Sequence, residues 1–282
     1  MERISRSFDI VILSYRILLR DKELMVLPLI SASITIAVAL SFAFGFGITP
    51  AAVENGGLET YLPLFLMYVV AYAVGIFFQA AVVAGATERM SGGDPTLGSA
   101  LAAAGRRVGT IVVWAILAAT VGTIIRAIHD RVSIVGKVVA VFLGAAWSLT
   151  TFFIVPVLVL EDRSIRESFT RSLNVFKETW GESIAGGATI GLASLVAWLP
   201  LMGIAALVGL TLGAPAGVGL FFAGAIVLSI FFSTLNGIYL ATLYRYATEG
   251  WVPAGFSGEL LQQAFVSKEG TNHTTLNLHR RQ

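Results

Sequence analysis

SIAGGATIGLASLVAWLPLMGIAALVGLTLGAPAGVGLFFAGAIVLSIFFSTLNGIYLATLY, Ser183 to Tyr244, runs for 62 residues without a charged side chain. The hydrocarbon core of a bilayer is about 30 Å thick and takes about 20 apolar residues of helix to cross. The run therefore holds two crossings, with the Gly/Pro interruption at Leu212 to Gly217 as the turn between them. Four shorter charge-free stretches lie upstream, Leu24 to Val53, Thr60 to Thr87, Val108 to Ile125 and Val138 to Leu160, each with room for one span. The expected fold class is all-α: a polytopic membrane bundle of six transmembrane helices, with spans at about 24–49, 62–87, 108–128, 136–160, 183–211 and 217–246.

Composition agrees, because 56% hydrophobic and 13% charged residues lie far from the soluble average of about 45–50% and about 25%. The chain has no cysteine, which excludes disulfides, thiolate metal sites and a cysteine nucleophile. Its basic residues flank the apolar stretches and form no tract of the kind that binds nucleic acid. Counted by segment, sixteen Lys and Arg fall in the N-terminal segment, the second and fourth loops and the C-terminal segment, against three in the opposite loops. By the positive-inside rule both termini are expected in the cytoplasm, in a multi-pass protein of the cell membrane. The N-terminal apolar run is far longer than the h-region of a secretory signal, about 7–15 residues, and reads as a retained segment.

Between the spans lie segments with helical amphipathicity. Within 1–23, at about 100° per residue, Ile4, Phe8, Val11, Ile12, Tyr15, Leu18 and Leu19 share one arc and Asp9, Arg16 and Arg20 the other side. This pattern predicts an interfacial helix on the cytoplasmic face. Others are expected near 96–107, near 164–180, where Ser164 and Glu167 form a capping box, and at 251–267, with a disordered tail at 268–282. Surface helix, span, hairpin and span then recur three times, a threefold internal pseudo-repeat. Aligning Pro95 with Pro253 sets Gln79 opposite Gly237, beside Asn236.

Glu161-Asp-Arg-Ser-Ile-Arg-Glu-Ser-Phe169, Asn174-Val-Phe-Lys-Glu-Thr-Trp-Gly181 and Tyr244-Arg-Tyr-Ala-Thr-Glu-Gly-Trp-Val-Pro-Ala-Gly-Phe256 resemble signature segments of an uncharacterised prokaryotic six-helix integral membrane family, a domain of unknown function. The layout is more distantly similar to the membrane domain of some glycerophosphodiester phosphodiesterases. The resemblance implies an all-α membrane fold and brings no catalytic residues.

Inside the spans the chemistry is sparse. Gln79, Ser229, Ser233 and Asn236 are candidate cavity-lining residues, and helix six is the helix best suited to line a path. Amides in spans also serve as interhelical hydrogen bonds. Gly187 and Gly191 form a G-x-x-x-G that predicts close helix approach, as do Ala140, Gly144 and Ser148, and Pro200 predicts a kink in helix five. An ionisable group at mid-membrane usually marks a relay or ion path, and the spans contain none. No nucleophile has a base at helical spacing, and no phosphate loop, dinucleotide fingerprint or metal pair is visible. No enzyme activity and no cofactor are expected. Arg16, Arg20, Arg106, Arg107, Arg171 and Lys177 are candidate contacts to lipid head groups. The expected partners are membrane lipids, with protein partners or a second copy of the chain, and no nucleic acid. The surface helices favour a non-catalytic membrane component organising lipids or partner proteins as the expected function, and the alternative is a permease or channel for a neutral or amphipathic solute.

Overall fold

A chain entering a bilayer finds no water for its backbone N–H and C=O groups, so it must bond them internally, which an α-helix does within one segment. The computed structural model describes residues 2–49, 53, 57–131 and 134–250. The expected surface helix at 251–267 and tail at 268–282 lie outside the described residues. Among the described residues every regular element is helical. They are α1 (Glu2–Arg20), a 3-10 turn (Lys22–Met25), α2 (Val26–Gly45), α3 (Leu58–Met90), α4 (Leu97–Gly105), α5 (Val108–Arg131), α6 (Ile134–Thr150), α7 (Ile154–Leu160), α8 (Ile165–Leu212) and α9 (Ala214–Glu249). Six segments are long and apolar enough to cross a membrane: Lys22–Gly45, Leu58–Met90, Val108–His129, Gly136–Leu160, Ile165–Leu212 and Ala214–Glu249.

The spans alternate in direction, giving the bundle a basal end, with α1, α4 and the first turns of α8, and a distal end where the hairpins turn. α8 passes into α9 through the single residue Gly213, whose φ of 98° needs a residue without a Cβ. Thr96 and Ser99 cap α4 reciprocally, and Ser164 and Glu167 cap α8 in the expected box, Glu167 Oε2 accepting from the Ser164 N–H at 3.0 Å.

Burial is concentrated at the basal end. Ala80 to Ala86 of α3, Phe153 to Val159 around α7 and most of Leu235 to Tyr244 of α9 are buried. At the distal end Phe44, Leu210 and Leu212 are exposed. α1 packs on α8 and α9. Its protein-facing stripe is Ile10, Ser14, Ile17 and Leu18, while Ile12, Tyr15 and Leu19 of the expected apolar arc stay exposed. Ser14 can sit inside because its hydroxyl donates to the Ile10 carbonyl at 2.7 Å.

Three local features differ from expectation. The departure from helical dihedrals inside α8 falls at Thr179 (φ −117°, ψ 19°), where the basal helix becomes the fifth span, and not around Pro200. A Cβ on Gly187 or Gly191 would meet open space, whereas one on the neighbouring Gly186 would overlap Tyr239. The close helix approach therefore exists, one residue away from the G-x-x-x-G. The fourth span is broken at Thr151 to Phe153, between α6 and α7.

Candidate functional site

α2 contributes Ser31 and Thr35 one turn apart, α3 contributes Tyr68 and Tyr72 one turn apart and then Gln79, and α9 contributes Ser229, Ser233 and Asn236 at the same helical interval. All of these line one cavity of about 900 Å³, which also touches Trp114 of α5 and the break in the fourth span at Thr151 and Phe152. The four candidate residues Gln79, Ser229, Ser233 and Asn236 thus share a single space. Gln79 stands eleven residues before the basal end of α3 and Asn236 thirteen before that of α9. At about 1.5 Å per residue both lie about 16–20 Å from the basal end, near the middle of a core of about 30 Å.

The walls grade in exposure. Trp114 (2% exposed), Val82, Val155 and Leu240 close the basal side with packed core, while Ile36 (59%) on α2, Tyr68 and Tyr72 on α3 and Phe222 (62%), Ile226, Ser229 and Ser233 on α9 stand exposed. On the basal side the cavity ends against packed core. Trp114 is held by Trp147, stacked with centroids 5.7 Å apart and planes 6° from parallel, and Phe169 of the basal helix tilts onto Trp147 at 6.0 Å. Tyr68 and Tyr72 pair at 5.8 Å on the opposite wall.

None of the described residues lining the cavity is charged. Its polar groups can both give and take hydrogen bonds, since each side-chain amide has two donors and an acceptor and each hydroxyl one donor. Among the described residues the Gln79 and Asn236 amides hydrogen-bond no other protein group, and neither do the hydroxyls of Ser31, Thr35, Ser229, Ser233, Tyr68 and Tyr72. The interhelical amide bonds that such residues commonly form in spans are not made here. Thr151 differs, its hydroxyl returning to the Trp147 carbonyl at 2.8 Å. The Ser31/Thr35 and Tyr68/Tyr72 pairs escape a search for isolated polar side chains, although their i, i+4 spacing is visible in the sequence.

The broken fourth span is braced from outside. Ser172 of α8 donates to the Thr150 carbonyl at 2.8 Å and accepts from the Phe153 N–H at 3.1 Å, supplying bonds the interrupted helix cannot make. Such breaks are stable at membrane depth where they are buried in protein or border a cavity.

The model of a family of unknown function, DUF6159, matches residues 58–256, or 199 of the 282 residues. The chain belongs to that family. No curated protein and no solved structure matches it. The match begins at the start of α3, so in this DUF6159 chain it takes in the α3, α5, α7 and α9 walls of the cavity and leaves α2 outside.

At the basal end the charged residues hold this DUF6159 chain together. Arg89 grips Asp21 through Nε at 2.7 Å and through a second, shorter bond, and also meets Asp94. Arg107 pairs with Asp162. Glu161 takes Arg171 at 3.0 Å, Arg163 and the hydroxyl of Tyr244. Burial pushes the Glu161 carboxyl up, but those three donors outweigh it and hold the group below the usual carboxylate range. Arg245 joins Glu249 at 2.8 Å and Ser91 Oγ at 3.1 Å, tying α9 to the end of α3. Of the six candidate head-group contacts, Arg107 and Arg171 are thus engaged within the protein, Arg16 is exposed but also interacts within it, and Arg20, Arg106 and Lys177 are exposed. Among the described residues no three His, Asp or Glu side chains gather in a way that would hold a metal ion.

Proposed function

We propose that this protein is a non-enzymatic, multi-pass protein of the cell membrane that takes a neutral or amphipathic molecule into the cavity between α2, α3 and α9 and passes it on, as a permease does. The observation that carries the reading is the pair of mid-span amides, Gln79 and Asn236, facing that cavity with no partner from the described protein. A polar group left without a hydrogen bond in an apolar medium costs about 2–7 kcal/mol, so these walls favour an occupant that can bond to them. A bundle whose only task was to organise neighbours would bond such amides between its own helices.

In the same reading both termini are cytoplasmic, and α1, α4 and the start of α8 lie at the cytoplasmic interface. The exposed apolar stripe of α1 and the exposed Arg20, Arg106 and Lys177 face anionic lipid there, at about 1 kcal/mol per basic residue. The organisation is threefold: Ser14 with Leu18, Ala100 with Ala104 and Ser168 with Ser172 are each a fully buried pair one turn apart, on three successive basal helices. We read the layout as that of a prokaryotic family akin to the membrane domain of glycerophosphodiester phosphodiesterases.

Native mass spectrometry of the full chain, released from mild detergent, tests the proposal. An uncharged adduct is expected on the wild type and is lost in Ser233→Trp, which fills the cavity. A folded wild type without any adduct sensitive to Ser233→Trp overturns it.

A further inference from the structure

Two observations about the cavity say what enters it and from where. The first concerns the mouth. Ile36 on α2 and Phe222 and Ile226 on α9 line the cavity and are more than half exposed. All three lie within spans. The exposed part of the lining is thus largely apolar, with Tyr68, Tyr72, Ser229 and Ser233 among it and no charged group among the described lining residues. The basal side is closed by Trp114, Val82, Val155 and Leu240, so no straight path leads through from that end. Exposed apolar lining residues on both α2 and α9 favour entry from the bilayer between those two helices.

The second concerns the depth. Along α9 the exposed Phe222 and Ile226 are followed toward the basal end by Ser229 and Ser233, also exposed, and then by the half-buried Asn236, with the half-buried Gln79 of α3 lining the same cavity. The shape is that of an amphiphile entering head first. The head must be uncharged, because the described lining residues offer no cation to a phosphate and no carboxylate to an amine, and an unpaired charge at this depth costs at least about 2.5–3.5 kcal/mol. It must also carry hydroxyl or carbonyl groups, because the wall presents amide N–H, amide C=O and hydroxyl together. The volume of about 900 Å³ is at the upper part of the range of about 300–1,000 Å³ for small-molecule sites. That is room for a head and part of its chains, with the remainder trailing through the lip.

We infer that the occupant is a neutral hydroxyl-bearing lipid of the diacylglycerol type, drawn laterally between α2 and α9 with its head on Gln79 and Asn236 and its chains against Ile36, Phe222 and Ile226. The inference rests on the reading of the cavity as a binding site and goes further by naming the substrate class and the route. Anionic lipids of the same chain length are discriminated against by the uncharged wall, not by the entrance.

The test uses the full chain in phosphatidylcholine vesicles holding trace diacylglycerol with a photoreactive diazirine on one acyl chain. A parallel sample carries phosphatidic acid with the same chains. Illumination is expected to label wild-type peptides of α2 and α9 with diacylglycerol at least about five-fold more than with phosphatidic acid. The variant Gln79→Leu/Asn236→Leu is expected to lose about five-fold or more of that labelling, the equivalent of one net hydrogen bond. Ile226→Trp, which narrows the lip and leaves the amides in place, is expected to do likewise. Equal labelling by both lipids overturns the inference, as does diacylglycerol labelling that neither variant changes, which is the pattern of lipid merely surrounding the bundle. Failure here together with an adduct that Ser233→Trp removes overturns the lipid class alone. Absence of that adduct overturns the binding reading beneath it.

Discussion

The phenol of Tyr239 lies directly over Gly186, and its hydroxyl donates to the Glu182 carbonyl at 2.8 Å. This is the tightest approach of the fifth and sixth spans near the basal end, and it allows no Cβ on α8. Gly186→Ala is expected to destabilise the protein by about 1–3 kcal/mol through overpacking, despite a helix-propensity gain of about 1 kcal/mol. Tyr239→Phe in the Gly186→Ala background removes the nearest obstructing atom and recovers part of that loss. Gly187→Ala, where a Cβ meets open space, is neutral or stabilising. Thermal unfolding in one detergent compares all three, and equal losses for Gly186→Ala and Gly187→Ala would rule the contact out.

Ser168 and Ser172 are one turn apart on α8 and both fully buried, yet they are expected to respond oppositely to alanine. Ser172 bridges the Thr150 carbonyl and the Phe153 N–H across the break in the fourth span. Ser172→Ala leaves two buried backbone groups unmet and is expected to cost about 1–3 kcal/mol. The Ser168 hydroxyl has no partner among the described residues, so Ser168→Ala is expected to be neutral or to gain about 1 kcal/mol. Denaturation midpoints of the two variants check this, and a reversal of their order would refute it.

Glu161 gathers Arg163, Arg171 and Tyr244 at the end of the fourth span, and its folded carboxyl titrates below its unfolded value of 4.5. A depressed carboxyl contributes stability that is complete above the unfolded value and is lost as pH falls through the folded one. Melting temperature is therefore expected to drop on acidification below about pH 4.5, and Glu161→Gln to be less stable than wild type at pH 7 with a flatter profile below. Parallel acid profiles for the two proteins would reject the assignment.

Asp21 is the buried member of the Arg89 pair, its side chain 5% exposed against 27% for Arg89. Breaking a buried pair costs about 3–5 kcal/mol because it strands a charge. The partial exposure of Arg89 lowers the expected loss for Arg89→Ala to about 2 kcal/mol. Asp21→Asn/Arg89→Ala is expected to be less damaged than the sum of its single changes. A strictly additive pair in denaturation would show that the two residues do not stabilise one another.

The six spans are legible because a bilayer imposes a length and forbids charge, and both constraints are written locally, as between Ser183 and Tyr244. Details set by contact between helices are not. The G-x-x-x-G of Gly187 and Gly191 marks an interval of small residues, but only the rotation of α8 against α9 decides that Gly186 meets Tyr239. The break at Thr151 to Phe153 depends on Ser172, nineteen residues from Phe153 and in another helix. Gln79, Ser229, Ser233 and Asn236 stand out as polar residues in apolar helices. Whether they bond one another or border a space depends on interhelical distances, which no single helix encodes. The Ser31/Thr35 and Tyr68/Tyr72 walls could have been found by asking which neighbouring polar residues share a helix face.

With its packed core at the basal end and large apolar side chains exposed at the other, the bundle resembles a tripod joined at the apex. The α8–α9 leg packs within itself, Gly209 against Gly217 and Trp198 against Phe221, while the exposed apolar tips leave surface for acyl chains to cover. The half of the bundle with the fewest buried side chains is thus the half whose surface lipid would complete.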